Sequence, residues 1–304
     1  MRIAIGTSSF ADVDSAPLEL LYAKGLEVVS NPYGRKLTED EIIEHLQNVD
    51  GLLAGLEPLN KTVFQKSPQL KVIARVGIGM DNVDMVAAKV ARIKVSNTPE
   101  GPIDAVAEMT LSAALILSRS ILPANFALHK KQWKKSISIG LKNLKVLIIG
   151  YGRIGSRVSE LFSVMGAYVK VCDPVVSQDD LQFGEELSGL TDGLKSADII
   201  TLHAGGNDPI LTSDEFENMG EGVIILNSAR GNLIAEDALI DALESGKVAS
   251  AWLDVFSREP YTGRLTEYPQ LLLTPHISTY TVQCRREMEM AAVNNLLRDL
   301  GIDE

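Results

Sequence analysis

Cysteine is scarce: Cys172 and Cys284 are the only two in 304 residues. Two thiols cannot build the disulfide framework of a small secreted scaffold. Neither has histidines at a zinc-site spacing, so no metal is expected. Cys172 lies inside an apolar run and reads as a buried thiol in a reducing compartment. Aromatic residues make up 5% of the chain, and 29 Lys and Arg stand against 40 Asp and Glu, for a net charge of −11. That field repels a phosphate backbone and no basic stripe opposes it, so no nucleic-acid partner is expected. No apolar run approaches the roughly 20 residues of a membrane-spanning helix. The apolar stretch in MRIAIGTSSF is too short for a signal peptide. These absences leave a cytoplasmic globular protein without membrane association as the expectation, its acidity serving solubility.

What is present is alternation. In the first hundred residues RIAIGT, LEVVSN, GLLAG, KVIARV and IKVSN are short apolar runs bounded by Gly, Asn or Pro, with amphipathic segments between them. Helices are expected over about 17–24 and 39–48. This is the pattern of a parallel α/β sheet. From Pro102 to Ser120 the apolar residues follow a helical period and occur almost all round (Ala105, Val106, Met109, Leu111, Ala113, Leu115, Ile116). That predicts a buried helix, packed between domains or against a second subunit. The basic stretch HKKQWKK after it reads as a loop.

A second, more regular alternation follows: KVLIIG, AYVKVCD, DIITLH, GVIILNSA, ASAWLDVF and LLLTPH, with helix signals such as EDALIDALES closed by Gly246. The tail VQCRREMEMAAVNNLLRDLG reads as one amphipathic helix with no sheet of its own after it, so it is expected to fold back onto the N-terminal domain. The length also favours two cores over one. The expectation is an α/β protein of two doubly wound parallel-sheet domains with a cleft between them. Residues 1–99 and 283–304 form a discontinuous substrate-binding domain, and residues 100–282 a nucleotide-binding domain.

The nucleotide reading rests on KVLIIGYGRIG, residues 145–155. An apolar strand ends on Gly150, Gly152 and Gly155 follow at G-x-G-x-x-G spacing, and a helix-like SRVSELFSVMG comes next. The first glycine permits the tight turn, the second lets a pyrophosphate approach the backbone, and the third lets helix pack on strand. Phosphate charge then meets the free N–H groups at the helix start. Eighteen residues past Gly155 the next strand ends on Asp173. An acid there accepts hydrogen bonds from a ribose diol and repels a 2′-phosphate, so NAD is the expected cofactor.

Ligands bind off the carboxyl ends of strands in such sheets. GVIILNSA runs into Arg230, WLDVF carries Asp254 and leads to Glu259, LLLTP ends on His276, and KVIARV in the first domain holds Arg75 before Gly77 and Gly79. A guanidinium fork for a carboxylate, an imidazole to move a proton and a carboxylate to tune it are the parts for reducing a carbonyl beside an acid.

The stretches RVGIGMDNVD (75–84), NTP (97–99), DAVAE (104–108), GYGRIG (150–155), NSARGNLI (227–234), LDVFSREP (253–260) and LTPHIS (273–278) resemble the D-2-hydroxyacid dehydrogenase family over essentially the whole chain. The look is that of D-3-phosphoglycerate dehydrogenase-like members without a regulatory domain. The resemblance implies that Arg230 binds the substrate carboxylate and helps polarise the keto oxygen, and that His276 is acid in reduction and base in oxidation. Glu259 would pair with His276 and keep it protonated. Asp254 would hold the nicotinamide carboxamide, with Arg153, Ile154, His203 and Ala229 as further cofactor contacts. Amides near Val76 and Gly77 would take the other side of the carboxylate. Arg75 has two readings, a substrate phosphate or a salt bridge closing the cleft. The sequence departs from the family at Ala204–Pro209, where the usual Leu-His-x-Pro is replaced by a loop with two glycines. The implied substrate is a 2-hydroxy or 2-keto acid, phosphohydroxypyruvate or a glyoxylate or hydroxypyruvate type. A homodimer through helix 104–120 is also implied. An NAD(H)-sensing interaction protein of the corepressor type is the reading from a different class.

Overall fold

The structure is a computed structural model that describes residues 1–302, and these fall into two units: 1–102 with 280 onward, and 103–279. In the first unit, strands β1 (Arg2–Ile5), β2 (Glu27–Val29), β3 (Gly51–Ala54), β4 (Val72–Arg75) and β5 (Lys94–Ser96) are parallel, in the order β2–β1–β3–β4–β5. Helices α1 (Ala16–Ala23), α2 (Glu39–His45), α3 (Lys61–Lys66) and α4 (Met85–Val90) connect them. Polar caps fix where three of these helices start. Thr38 and Glu41 exchange hydrogen bonds in a capping box at α2, Asn60 caps α3 and Asp84 caps α4. Strand β3 is buried along its length, as a central parallel strand must be, and its Leu52 packs with Ile42, Val63 and Ile73. The strand order reverses between β1 and β3, whose carboxyl ends therefore flank the switch point of this sheet.

The second unit opens with α5 (Pro102–Ser118) and α6 (Ile121–His129). Seven parallel strands follow: β6 (Lys145–Ile149), β7 (Tyr168–Cys172), β8 (Glu186–Leu187), β9 (Ile199–Leu202), β10 (Val223–Asn227), β11 (Val248–Leu253) and β12 (Leu271–Leu273). Between them lie α7 (Arg153–Val164), α8 (Leu190–Ser196), α9 (Ser213–Asn218) and α10 (Glu236–Ser245). The sheet order β12–β11–β10–β9–β6–β7–β8 puts the switch point between β6 and β9. Ala107, Ala113 and Ala114 of α5 are buried with Val146, Phe162 and Trp252 on one face of the sheet.

The expected helix to Ser120 is corrected: α5 ends at Ser118, Ser120 takes a left-handed conformation (φ 50°), and a second helix begins at Ile121. Ile121, Phe126, Leu128, Trp133 and Ile137 around and beyond α6 are exposed, in contrast to the alanines of α5. No single helix among the described residues is long and apolar enough to cross a membrane.

The last helix, α11 (Val282–Leu300), belongs to the first unit, where it packs on β3, β4, β5 and α1. It buries Met288, Ala292, Val293, Leu296 and Leu297, together with an ion pair, Arg285–Glu289 at 2.5 Å. Glu289 also accepts from Ala11 N at 2.9 Å and so fixes the loop after β1. Removing one member of a buried pair strands the other charge, a loss of about 3–5 kcal/mol. Glu289→Ala is therefore expected to lower stability by that order in urea unfolding, and a change within experimental error would refute the role given to the pair.

Candidate active site

Each glycine of the fingerprint has a separate reason. Gly150 leaves β6 at φ 94°, and a Cβ there would stand 2.6 Å from Ala204 N, so the end of β9 packs directly on it. A Cβ on Gly155 would stand 2.0 Å from Gly150 O, which is how α7 comes so close to β6. A Cβ on Gly152 would meet nothing within 4 Å; the space above it is open. Ser156 N makes the first bond of α7, to Gly152 O at 2.9 Å. The amides of Ile154 and Gly155 precede it at the start of the helix, the arrangement that holds a phosphate. A groove of about 500 Å³ lies beside this turn, lined by Gly152, Arg153, Ser156, Val175, Asp180 and Gln182 among others. At its edge the Asp173 carboxylate is oriented by two amides, Tyr151 N at 2.8 Å and Val175 N at 2.9 Å. Each oxygen retains a lone pair for a hydroxyl. The residues present therefore fit an adenine dinucleotide.

Sequence reasoning missed a partner of this turn. The Tyr151 hydroxyl donates to Glu185 Oε1 at 2.8 Å, the Ser159 hydroxyl donates to the same oxygen, and Phe183 N donates to Oε2 at 2.7 Å. Those hydrogen bonds hold the buried Glu185 carboxyl below the ordinary range against the opposing effect of burial. A tyrosine and an acid 34 residues apart carry no local signal.

At the other end of the sheet β10, β11 and β12 are in register, Asn227 beside Leu253 and Leu253 beside Leu273. The residues just past them thus share one edge. Asn227 fastens the first turn, with Oδ1 accepting from Ala229 N and Nδ2 donating to Arg230 O. Arg230 Nη1 bonds the Ala229 carbonyl at 2.7 Å. Gly231 lies so close to the next loop that a Cβ would sit 1.9 Å from Phe256 C. From that loop Phe256 N holds Glu259 Oε1 at 3.1 Å, and Glu259 Oε2 meets His276 Nδ1 at 3.0 Å. Both side chains are partly exposed, 41% for His276 and 31% for Glu259, so the imidazole is reachable by a small molecule. His276 itself has φ 55°.

Two expected cofactor contacts are corrected. The Asp254 carboxylate is wholly buried and takes four bonds: Thr274 Oγ1 at 2.6 Å, Ile277 N and Ser278 N at 2.9 Å, and Ser278 Oγ at 2.5 Å. A carboxylate has about four acceptor sites, so none is left for a carboxamide, and Asp254 instead anchors the turn that carries His276. The His203 side chain is partly buried, with Nε2 2.8 Å from Thr201 Oγ1, and burial pushes its pKa down to about 3. What faces Gly150 is the 203–204 backbone rather than the imidazole. The glycine loop beyond it is exposed, with Gly206 at φ 114°.

In the first unit, Arg75 closes β4 and its Nη1 bonds the Val76 carbonyl at 2.8 Å. A Cβ on Gly77 would stand 1.4 Å from that nitrogen, so the guanidinium needs the glycine. The expected anion-binding amides are corrected: Val76 N bonds Ala54 O at 2.9 Å and Gly77 N bonds Thr98 Oγ1 at 2.7 Å. The amides of Ile78 and Gly79, next in the loop, make no hydrogen bond among the described residues.

A doubly wound sheet, a dinucleotide turn ending in an acid, and an acid–imidazole pair beside an arginine define an NAD-dependent oxidoreductase. The comparisons specify which kind. Residues 111–278 match the profile of the D-isomer specific 2-hydroxyacid dehydrogenase NAD binding domain. Hydroxypyruvate reductase of Thermotoga maritima is 34% identical over 301 residues, covering 95% of this chain and 96% of that one. D-3-phosphoglycerate dehydrogenase of Mycobacterium tuberculosis is 36% identical over 254 residues, 81% of this chain but 48% of that longer enzyme. A crystal structure of a protein from Thermus thermophilus superposes with a TM-score of 0.90 at 29% identity, covering 100% of this chain and 98% of that one. The chain belongs to the D-isomer specific 2-hydroxyacid dehydrogenase family.

The carboxylate of Asp173 would face a 2′-phosphate directly. Asp173→Ala is expected to shift kcat/KM from NADH toward NADPH by about tenfold or more; an unchanged cofactor ratio would remove Asp173 from the ribose site.

Proposed function

We propose that this chain catalyses reversible hydride transfer between NAD and C2 of a small 2-hydroxy or 2-keto acid. The observation that carries the reading is the Glu259–His276 pair on the strand edge where Arg230 stands, in the same sheet as the dinucleotide turn. Bound NADH supplies the hydride. Glu259 holds Nδ1 of His276, which leaves Nε2 to give a proton to the substrate oxygen as C2 is reduced and to take it back in oxidation. The Arg230 fork binds the carboxylate and draws charge from the keto oxygen.

The names of the relatives supply the candidate substrates, hydroxypyruvate for one and 3-phosphoglycerate for the other. NADH oxidation with glyoxylate, hydroxypyruvate, pyruvate and phosphohydroxypyruvate tests the reading, and no turnover with any of them would refute it. His276→Gln should lower kcat by roughly 10²–10⁴ while the dissociation constant for NADH stays within a few fold. Equal losses in both would make His276 a structural residue.

The functional unit proposed is a homodimer. Ile121, Phe126, Leu128, Trp133 and Ile137 put five exposed large apolar side chains in one stretch of seventeen residues, the kind of surface that marks an interaction site. Burying these side chains against a second copy explains residues that α5 leaves outside the core. Phe126→Glu with Trp133→Glu should yield a monomer in light scattering; a wild type that is already monomeric would end this proposal.

A further inference from the structure

Between β7 and β8 the chain runs through a mostly exposed segment, residues 174–184. Val175, Asp180 and Gln182 of this segment line the groove beside the dinucleotide turn, together with Tyr151, Gly152 and Ser156. The residue that closes it is of the opposite kind: Glu185 is only 5% exposed. Two hydroxyls, of Tyr151 and Ser159, donate to its Oε1, and Phe183 N donates to Oε2. Gln178 fixes its backbone, with Nε2 donating to Glu185 O at 2.9 Å and Oε1 accepting from Leu187 N at 2.8 Å. All three donors to the carboxylate are neutral. A carboxylate so placed is costlier to bury than a glutamine or an apolar side chain, so packing gives no reason for it.

Tyr151 links this buried acid to the groove. Its hydroxyl donates to Glu185 at 2.8 Å, and its backbone N donates to Asp173 Oδ2 at the same distance. The ring packs with Val158 and Phe162 of α7, so the direction of its amide follows from where the side chain is held. Burial and the Glu185 carboxylate push the Tyr151 hydroxyl up, so it keeps its proton and remains a donor. We propose that Glu185 is a positioning residue for the choice of dinucleotide: through Tyr151 it aims the Asp173 carboxylate at the ribose diol and so sets the preference for NAD over a 2′-phosphorylated dinucleotide. A carboxylate that is free to turn can accept from one hydroxyl only, or swing away from a phosphate. One held in place accepts from the diol and opposes the phosphate, which is discrimination by attraction and by repulsion at once. The inference rests on Asp173 as the ribose ligand and is independent of which keto acid is reduced.

Equilibrium titrations with NADH and with NADPH, followed by nicotinamide fluorescence, test it without any turnover. Tyr151→Phe removes one oxygen and keeps the ring; Glu185→Gln keeps the shape and removes the charge. Each should lower the preference for NADH over NADPH about fivefold, chiefly by weakening NADH. In an Asp173→Ala background, Tyr151→Phe should change that ratio no further, because the relay ends on the missing carboxylate. A Tyr151→Phe protein that binds both dinucleotides in the wild-type ratio would overturn the inference, even if Glu185→Gln does not fold. The same fall with and without the Asp173 carboxylate would overturn it too, since the two residues would then act through general packing. An Asp173→Ala protein with the wild-type ratio refutes instead the ribose reading of Asp173, and the relay with it.

Discussion

Four hydrogen bonds converge on the Asp254 carboxylate, from the Thr274 hydroxyl, the Ile277 and Ser278 amides and the Ser278 hydroxyl. The backbone on both sides of His276 is thereby fixed, and the histidine is held at φ 55°, a conformation that costs a non-glycine residue on the order of 1–3 kcal/mol. Trp252 supports the same point from beneath, its indole nitrogen donating to Thr274 Oγ1 at 2.9 Å. The imidazole meets Glu259 because these bonds set the course of the turn that carries it. A buried carboxylate is tolerable only when its acceptors are satisfied, so the interaction that orients the imidazole also removes a penalty from the core.

Much of the architecture was legible because parallel strands write themselves as short apolar runs. KVLIIG, DIITLH and GVIILNSA become β6, β9 and β10 within a residue or two of where periodicity puts them. The dinucleotide turn was legible for a related reason, since each of its glycines answers a local steric demand. The acid–imidazole pair was legible only at one remove. Strand ends identify which residues share an edge, but that Glu259 reaches His276 depends on a loop closing back through Phe256.

The misread polar residues share one cause, the competition among polar groups for partners that are distant in sequence. Asp254 lies at a strand end like a ligand-binding acid, yet the chain 20 to 24 residues later saturates it. Val76 and Gly77 lie in a glycine loop, yet Ala54 and Thr98 take their amides. The helix α6 was missed because its apolar side chains face outward and give no amphipathic signal toward a core. The buried Glu57 follows an apolar strand as any surface acid might. Nothing local says that Gly6, at the end of a different strand, has left room for it.

The return of α11 bears on how the chain is made. Leu296 reaches within 3.1 Å of where a Cβ of Gly51 would stand, so this helix seals one face of the first sheet. Residues 103–279 are all synthesised before Val282–Leu300 is translated. The usual order, in which the N-terminal domain closes first, is reversed. The first sheet waits with Gly51 and its neighbours uncovered until α11 is made. The nascent chain therefore carries an open apolar face while the whole second unit is synthesised, and that interval is when it most needs a chaperone.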